Sequence, residues 1–118
     1  MGYQQFYLPT HRVSDLATRL GYRKRRVSVI VTNEVTLTGL NWSGGSISKY
    51  HGINLRDMSI LSPDHSRHHP ALNAAEGQTV PIPDDMMIAK TGTFQGKPSL
   101  MTLFVRPDNI PRYLTEGK

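Results

Sequence analysis

The chain has no cysteine, which removes disulfides, thiolate metal sites and thiol nucleophiles together. No apolar run approaches the roughly 20 residues of a membrane-spanning helix, so a membrane partner is not expected. The opening stretch MGYQQFYLPTHR has neither the charged start nor the apolar core of a secretory leader. Gly2 invites a thought of myristoylation, but Phe6 stands where that signal wants serine or threonine. These absences predict a cytoplasmic protein. Carboxylates are also scarce: nine Asp and Glu face fourteen Lys and Arg, a formal charge of +5. A field of that sign draws nucleic acid, nucleotides or acidic protein surfaces without choosing among them.

What is present fits one domain over residues 1–118, with no internal repeat and no linker. A small domain without covalent staples relies on packing and often on partner subunits, so a homo-oligomer is expected. Val13, Leu16, Ala17 and Leu20 recur at helical spacing before Gly21, which predicts a short amphipathic helix over 11–20. RVSVIVT (26–32) is rich in β-branched residues and reads as a strand. In 33–42, Val35 and Leu37 alternate with Thr36 and Thr38, the pattern of a half-buried strand. Further strands are expected at 46–55, near Ser59–Ser62, at 86–94 and at 99–106, with a hairpin loop over 95–98. Residues 63–85 carry four prolines and read as a long excursion with one helical turn near Ala71–Ala75. Asn109 and Pro111 suggest a capped turn near the end. The fold class is α+β: an N-terminal helix, then a mainly antiparallel sheet, with a long loop before the last two strands.

Charge is concentrated at the start. Arg12, Arg19, Arg23, Lys24, Arg25 and Arg26 are opposed before residue 27 by Asp15 alone, whereas the remaining 92 residues are balanced. The run Arg23–Arg26 offers phosphate contacts, although side chains alternate on a strand beginning at Arg26, so the four cannot all address one ligand. Trp42-Ser43-Gly44-Gly45-Ser46 joins two expected strands, and glycine amides there can approach a phosphate. Arg56 and Arg106 sit at strand ends, where two guanidinium forks suit phosphates, with Lys97 in the last hairpin. Trp42, Tyr50 and Phe94 are the aromatics expected to stack on a base.

Catalytic groups are harder to find. The run Asp64-His65-Ser66-Arg67-His68-His69 has imidazoles that suit a transition metal, but Arg67 is a poor neighbour for a cation. The run is read as a solvated loop, with no metal and no cofactor. No nucleophile, base and orienting group suggest themselves as a set. A phosphodiesterase-like mechanism through His51 is the catalytic alternative.

Leu40–Ser46, then Tyr50, then Gly92-Thr93-Phe94-Gln95-Gly96-Lys97 and Val105–Asn109 resemble small phage and metagenomic proteins with an N-W-S-G-G turn and a G-x-F-x-G-K hairpin. The resemblance covers about the last two-thirds of the chain. The chain is also similar in size and character to the first-described Thoeris anti-defence type, oligomeric sponges that sequester cyclic ADP-ribose isomers and in some cases cyclic oligonucleotides. The likeness implies a phage-type binding protein in the host cytoplasm that holds a phosphate-bearing nucleotide signal without turnover. Arg56 and Arg106 would then grip the phosphates, by chemistry and placement rather than by a motif. Two other readings stand beside it: a nucleic-acid-binding accessory protein using residues 23–26, and a virion structural or assembly protein.

Overall fold

In a computed structural model that describes residues 4–38, 46–61, 76–94, 97–110 and 114, two sheets and one short helix enclose two apolar clusters. In chain order the elements are β1 (Gln4–Pro9), a 3-10 turn (Thr10–Val13), α1 (Ser14–Arg19), β2 (Arg26–Val31), β3 (Glu34–Thr36), β4 (Ser46–Asn54), β5 (Ile60–Leu61), β6 (Thr79–Pro81), β7 (Met86–Phe94), β8 (Lys97–Val105) and a 3-10 turn (Pro107–Asn109). The larger sheet has the order β1-β2-β8-β7-β4-β5, and β3 pairs with β6 in a sheet of two. All neighbours are antiparallel except β2 and β8, which run parallel. The α+β class and the mainly antiparallel sheet are those expected from the sequence.

The alternation in β2 explains its place. Val27, Val29 and Val31 point to one face and are buried, while Arg26, Ser28 and Ile30 point to the other. Leu8, Met87, Ala89, Met101, Leu103 and Val105 share the first face, and α1 closes it with Leu16 and Ala17. Each large side chain withdrawn there contributes about 1.5–3 kcal/mol. Helix α1 stops at Gly21, whose φ of +79° is the left-handed conformation that favours glycine. Gly21 N–H donates to Thr18 O (3.1 Å) and Tyr22 N–H to Ala17 O (2.8 Å), the pair of bonds of a Schellman stop.

On the opposite face, the small sheet covers part of β4, β7 and β8. Val35 and Leu37 go inward, as their alternation predicts, and meet Val80, Ile82, Met86, Ile88 and Tyr50. The half of that face over β1, β2 and the start of β8 carries Gln5, Tyr7, Arg26, Ser28 and Leu100, all exposed or half-exposed.

Several details differ from the expectation. A strand, β1, precedes the helix, so the helix crosses between two strands rather than leading the chain. The excursion 63–85 contains β6. Lys97 and Pro98 belong to β8 rather than to a loop. Pro98 has no N–H for the ladder, and a register shift falls between its partner Thr93 and Gly92. β3 is observed over three residues; the rest of its expected length from 39 onward, the helical turn at 71–75 and Pro111 lie outside the described residues. No helix among the described residues is long and apolar enough to cross a membrane.

Candidate ligand-binding site

The strand registers divide the expected site residues between two ends of the large sheet. Pro9 pairs with Arg26, Phe94 with Lys97, and Ser46 with Phe94, so Arg26, Lys97 and the start of β4 share one end. Asn54 pairs with Met86 at the other end, where Arg56 follows β4 and Arg106 follows β8. A nine-residue strand separates these ends by roughly 25 Å. Arg56 and Arg106 therefore cannot share one small ligand with Lys97, Arg23 and Arg26. Trp42, Gly44, Gly45 and the His65, His68 and His69 run lie outside the described residues. Phe94 is placed by its backbone register with Lys97.

The Arg56/Arg106 end is acidic. Asp57, Asp84, Asp85 and Asp108 are there among the described residues; Leu55 N–H donates to Asp85 O at 2.9 Å, which ties the Arg56 turn beside them. Hydrogen bonds from Ser59 hold the Asp57 carboxyl below the usual carboxylate range, so it stays charged. Arg106 is largely enclosed, with 22% of its side chain exposed. Its Nη1 donates to Ile82 O at 3.0 Å and faces Asp84 at 3.2 Å, while Nη2 faces Asp108 at 3.4 Å. Asn109 Nδ2 also donates to Asp84 O. The guanidinium assigned to a phosphate is thus tying the approach to β7 onto the end of β8. Its fork is turned to the chain's own oxygens.

Tyr50 is likewise given different work from the stacking role assigned to it. Its ring is buried, its hydroxyl donates to Thr38 O (3.1 Å) and accepts from Thr38 N–H (3.0 Å), and Lys90 Nζ lies 5.6 Å from the ring centroid. A base cannot reach a face that is packed into the second cluster.

The basic end has the opposite character. Arg23, Lys24, Arg25 and Arg26 are all exposed, as are His11 and Lys97. The loop that carries them is held in shape. Thr10 N–H donates to Arg25 O at 2.7 Å, Thr10 Oγ1 donates to Lys24 O, and Tyr22 Oη donates to Arg26 O at 2.7 Å. A cleft of about 490 Å³ lies among Pro9, Thr10, His11 and Arg23–Arg25. From this loop Arg26 enters β2 on the open face. Its partner across the strand is Pro9, and Tyr7 is the diagonal neighbour. Tyr7 is 59% exposed, and Arg26 Cζ stands 5.4 Å from its ring centroid. Ser28 lies opposite Tyr7 and accepts from Gln5 Nε2 (3.1 Å), and Thr102 lies opposite Ser28. A cleft of about 340 Å³ runs over these residues and Leu100. An aromatic face, a cation stacked on it, amide and hydroxyl groups beside it and a preset basic loop are what a base with its phosphate needs.

Tyr7 was missed in the sequence because Arg26 lies nineteen positions away and only the β1–β2 register joins them. The one available signal was alternation: Phe6 and Leu8 inward, Gln5 and Tyr7 outward. His51, the catalytic alternative, has Nε2 3.5 Å from Thr91 Oγ1, too long for an activated nucleophile. Its Nδ1 is buried and has no hydrogen-bond partner among the described residues, so the third, orienting member of a catalytic relay is not formed there. Among the described residues no three His, Asp or Glu side chains gather as metal ligands. No protein family matches the chain, and neither a curated protein nor a solved structure matches it.

Proposed function

We propose that the chain binds a phosphate-bearing nucleotide ligand without turning it over, at the basic end and the adjoining open face of the large sheet. The observation that carries this reading is the exposed Tyr7 ring with Arg26 stacked on it, next to the preset Arg23–Arg25 loop. A base stacked on such a ring contributes about 1–3 kcal/mol. Arginine forks then hold the phosphate with charge-assisted bonds. In the form closest to the sequence expectation, the ligand is a small nucleotide signal sequestered in the cytoplasm of a phage host. An open face leaves a small ligand half in water, and such ligands are usually enclosed. Among the described strands β1 lies at the edge, so a second copy pairing along it sets two Tyr7–Arg26 platforms side by side. The sponge form of the proposal includes that oligomer.

A second reading is single-stranded nucleic acid, favoured by the continuity of the open face with the basic loop. The two separate in a thermal-stability and calorimetry panel of cyclic dinucleotides, cyclic ADP-ribose isomers, short oligonucleotides and duplex DNA at two salt concentrations. A sponge is stabilised by a narrow set of small nucleotides through mass action. A strand binder gains affinity with oligonucleotide length and loses it steeply with salt. If no member of the panel stabilises the chain or gives binding heat, nucleotide binding is rejected in both forms.

A further inference from the structure

On the helix-covered face of the large sheet, away from Tyr7, a cleft of about 320 Å³ opens between the end of α1 and strands β4 and β7. It is lined by Arg19, Leu20, Lys49, His51, Thr91 and Thr93. The register explains the gathering: Lys49 is the partner of Thr91 and His51 of Ala89, so alternate residues of β4 and β7 bring these four polar side chains onto one face. The cleft has the volume of about ten liquid waters, enough for a tetrahedral oxyanion with a small substituent.

Its chemistry is one-signed. Arg19 from α1 and Lys49 from β4 are the charged groups that line it, and β7 contributes two neutral hydroxyls. Arg19 Nη2 also meets Asp15, which does not line the cleft, at 3.1 Å, with 88% of the Asp15 side chain exposed. Two cations converging without a lining carboxylate repel each other and draw an anion. Half-buried His51 lines the same wall, with Nε2 3.5 Å from Thr91 Oγ1, while its Nδ1 is buried away from solvent. A cation is repelled there.

We propose that this cleft holds a phosphate dianion, free or as a monoester, with Arg19 and Lys49 countering its charge and Thr91 and Thr93 donating hydroxyl hydrogen bonds. His51 makes the site proton-linked. Burial, and then Lys49, push its imidazole below the ordinary histidine value, so the empty cleft holds it neutral near pH 7. An anion beside the ring favours the charged form, so ligand and proton enter together. This site is distinct from the Tyr7 platform and does not depend on it.

Calorimetry on the full chain tests the proposal, with inorganic phosphate, a sugar monophosphate and sulfate as probes in an uncharged buffer. Both phosphate probes should bind in the millimolar range or tighter; a sugar monophosphate that binds at least tenfold tighter than free phosphate identifies the monoester as the ligand. Arg19→Gln and Lys49→Gln should each weaken binding about tenfold, the loss of one charge-assisted bond. Asp15→Asn removes a competitor for Arg19 and should tighten it. Sulfate keeps its charge between about pH 5 and 8, so its affinity should rise severalfold as pH falls through the histidine range, and His51→Gln should flatten that rise. Absence of binding heat for all three probes overturns the proposal. So does loss of sulfate affinity with Arg23→Gln and Arg25→Gln but not with Arg19→Gln and Lys49→Gln, which puts the anion at the basic loop. A rise that persists unchanged in His51→Gln overturns the proton linkage.

Discussion

Replacing Arg106 by alanine should cost the fold about 2 kcal/mol, and the structure says where that figure comes from. The bond from Nη1 to Ile82 O is charge-assisted and partly enclosed, and such a bond contributes about 1.5–3 kcal/mol. The ion pairs to Asp84 and Asp108 add little, because those carboxylates are 90% and 72% exposed and exposed pairs contribute about 0–1 kcal/mol. Against these gains, Nε is buried without a partner among the described residues, and removing it recovers about 1 kcal/mol or more of desolvation cost. The enclosed stem adds one methylene's burial, about 0.8 kcal/mol. Urea unfolding followed by circular dichroism reads the sum. Arg106→Met keeps the stem and should recover a little under half of the loss; added salt should change the wild-type value only slightly. A loss below about 0.5 kcal/mol would refute the structural role. A drop in ligand affinity with unchanged stability would return Arg106 to the phosphate-clamp role that the sequence suggested.

Tyr50→Phe removes both hydrogen bonds to Thr38 and should cost about 1–2 kcal/mol, read by the same unfolding curves. Gly21→Ala should cost about 1 kcal/mol through its φ of +79°, with no steric part, since nothing lies within 4 Å of an added Cβ. Gly92→Ala differs in cause: the added Cβ meets Leu100 Cδ2 at 3.1 Å, and a flexible side chain can yield, so the cost should stay under about 1 kcal/mol. For His51 the folded-state value is depressed, so the unfolded chain binds the proton more readily. Its contribution is therefore present above the unfolded value near 6.5 and is lost as pH falls through the folded one. His51→Gln should flatten stability over that window, measured as the urea midpoint at pH 7.5 and 5.5 without phosphate or sulfate.

The sequence made the strong elements legible because their signals are local. The alternation of RVSVIV, the paired Val35 and Leu37, and the Gly21 stop each depend on neighbours in the chain, and each appears in the structure. β1 was hidden because QQFYLP has no β-branched residue and ends in proline. β6 is three residues among prolines, stabilised by pairing with β3 rather than by propensity. The parallel pairing of β2 with β8 joins segments some seventy positions apart, and no local pattern announces it. The site divides in the same way. The basic run 23–26 was legible as charge. Arg56 and Arg106 were rightly placed at strand ends, but the Ile82 carbonyl and the Asp84 carboxylate that occupy Arg106 come from a segment more than twenty positions away. Tyr7 and Arg26 meet through register alone.

The proposed nucleotide platform is the Tyr7 ring together with Arg26. Its most direct measurement is a calorimetric titration of wild type, Tyr7→Ala, Tyr7→Phe and Arg26→Ala with the best nucleotide from the panel. Tyr7 is exposed, so Tyr7→Ala should leave the unfolding midpoint nearly unchanged. Tyr7→Ala should weaken binding about ten- to a hundredfold, the loss of one stacked base; Tyr7→Phe should bind nearly as wild type, and Arg26→Ala should fall with Tyr7→Ala. Wild-type affinity in Tyr7→Ala, with the fold intact, would contradict the proposed platform.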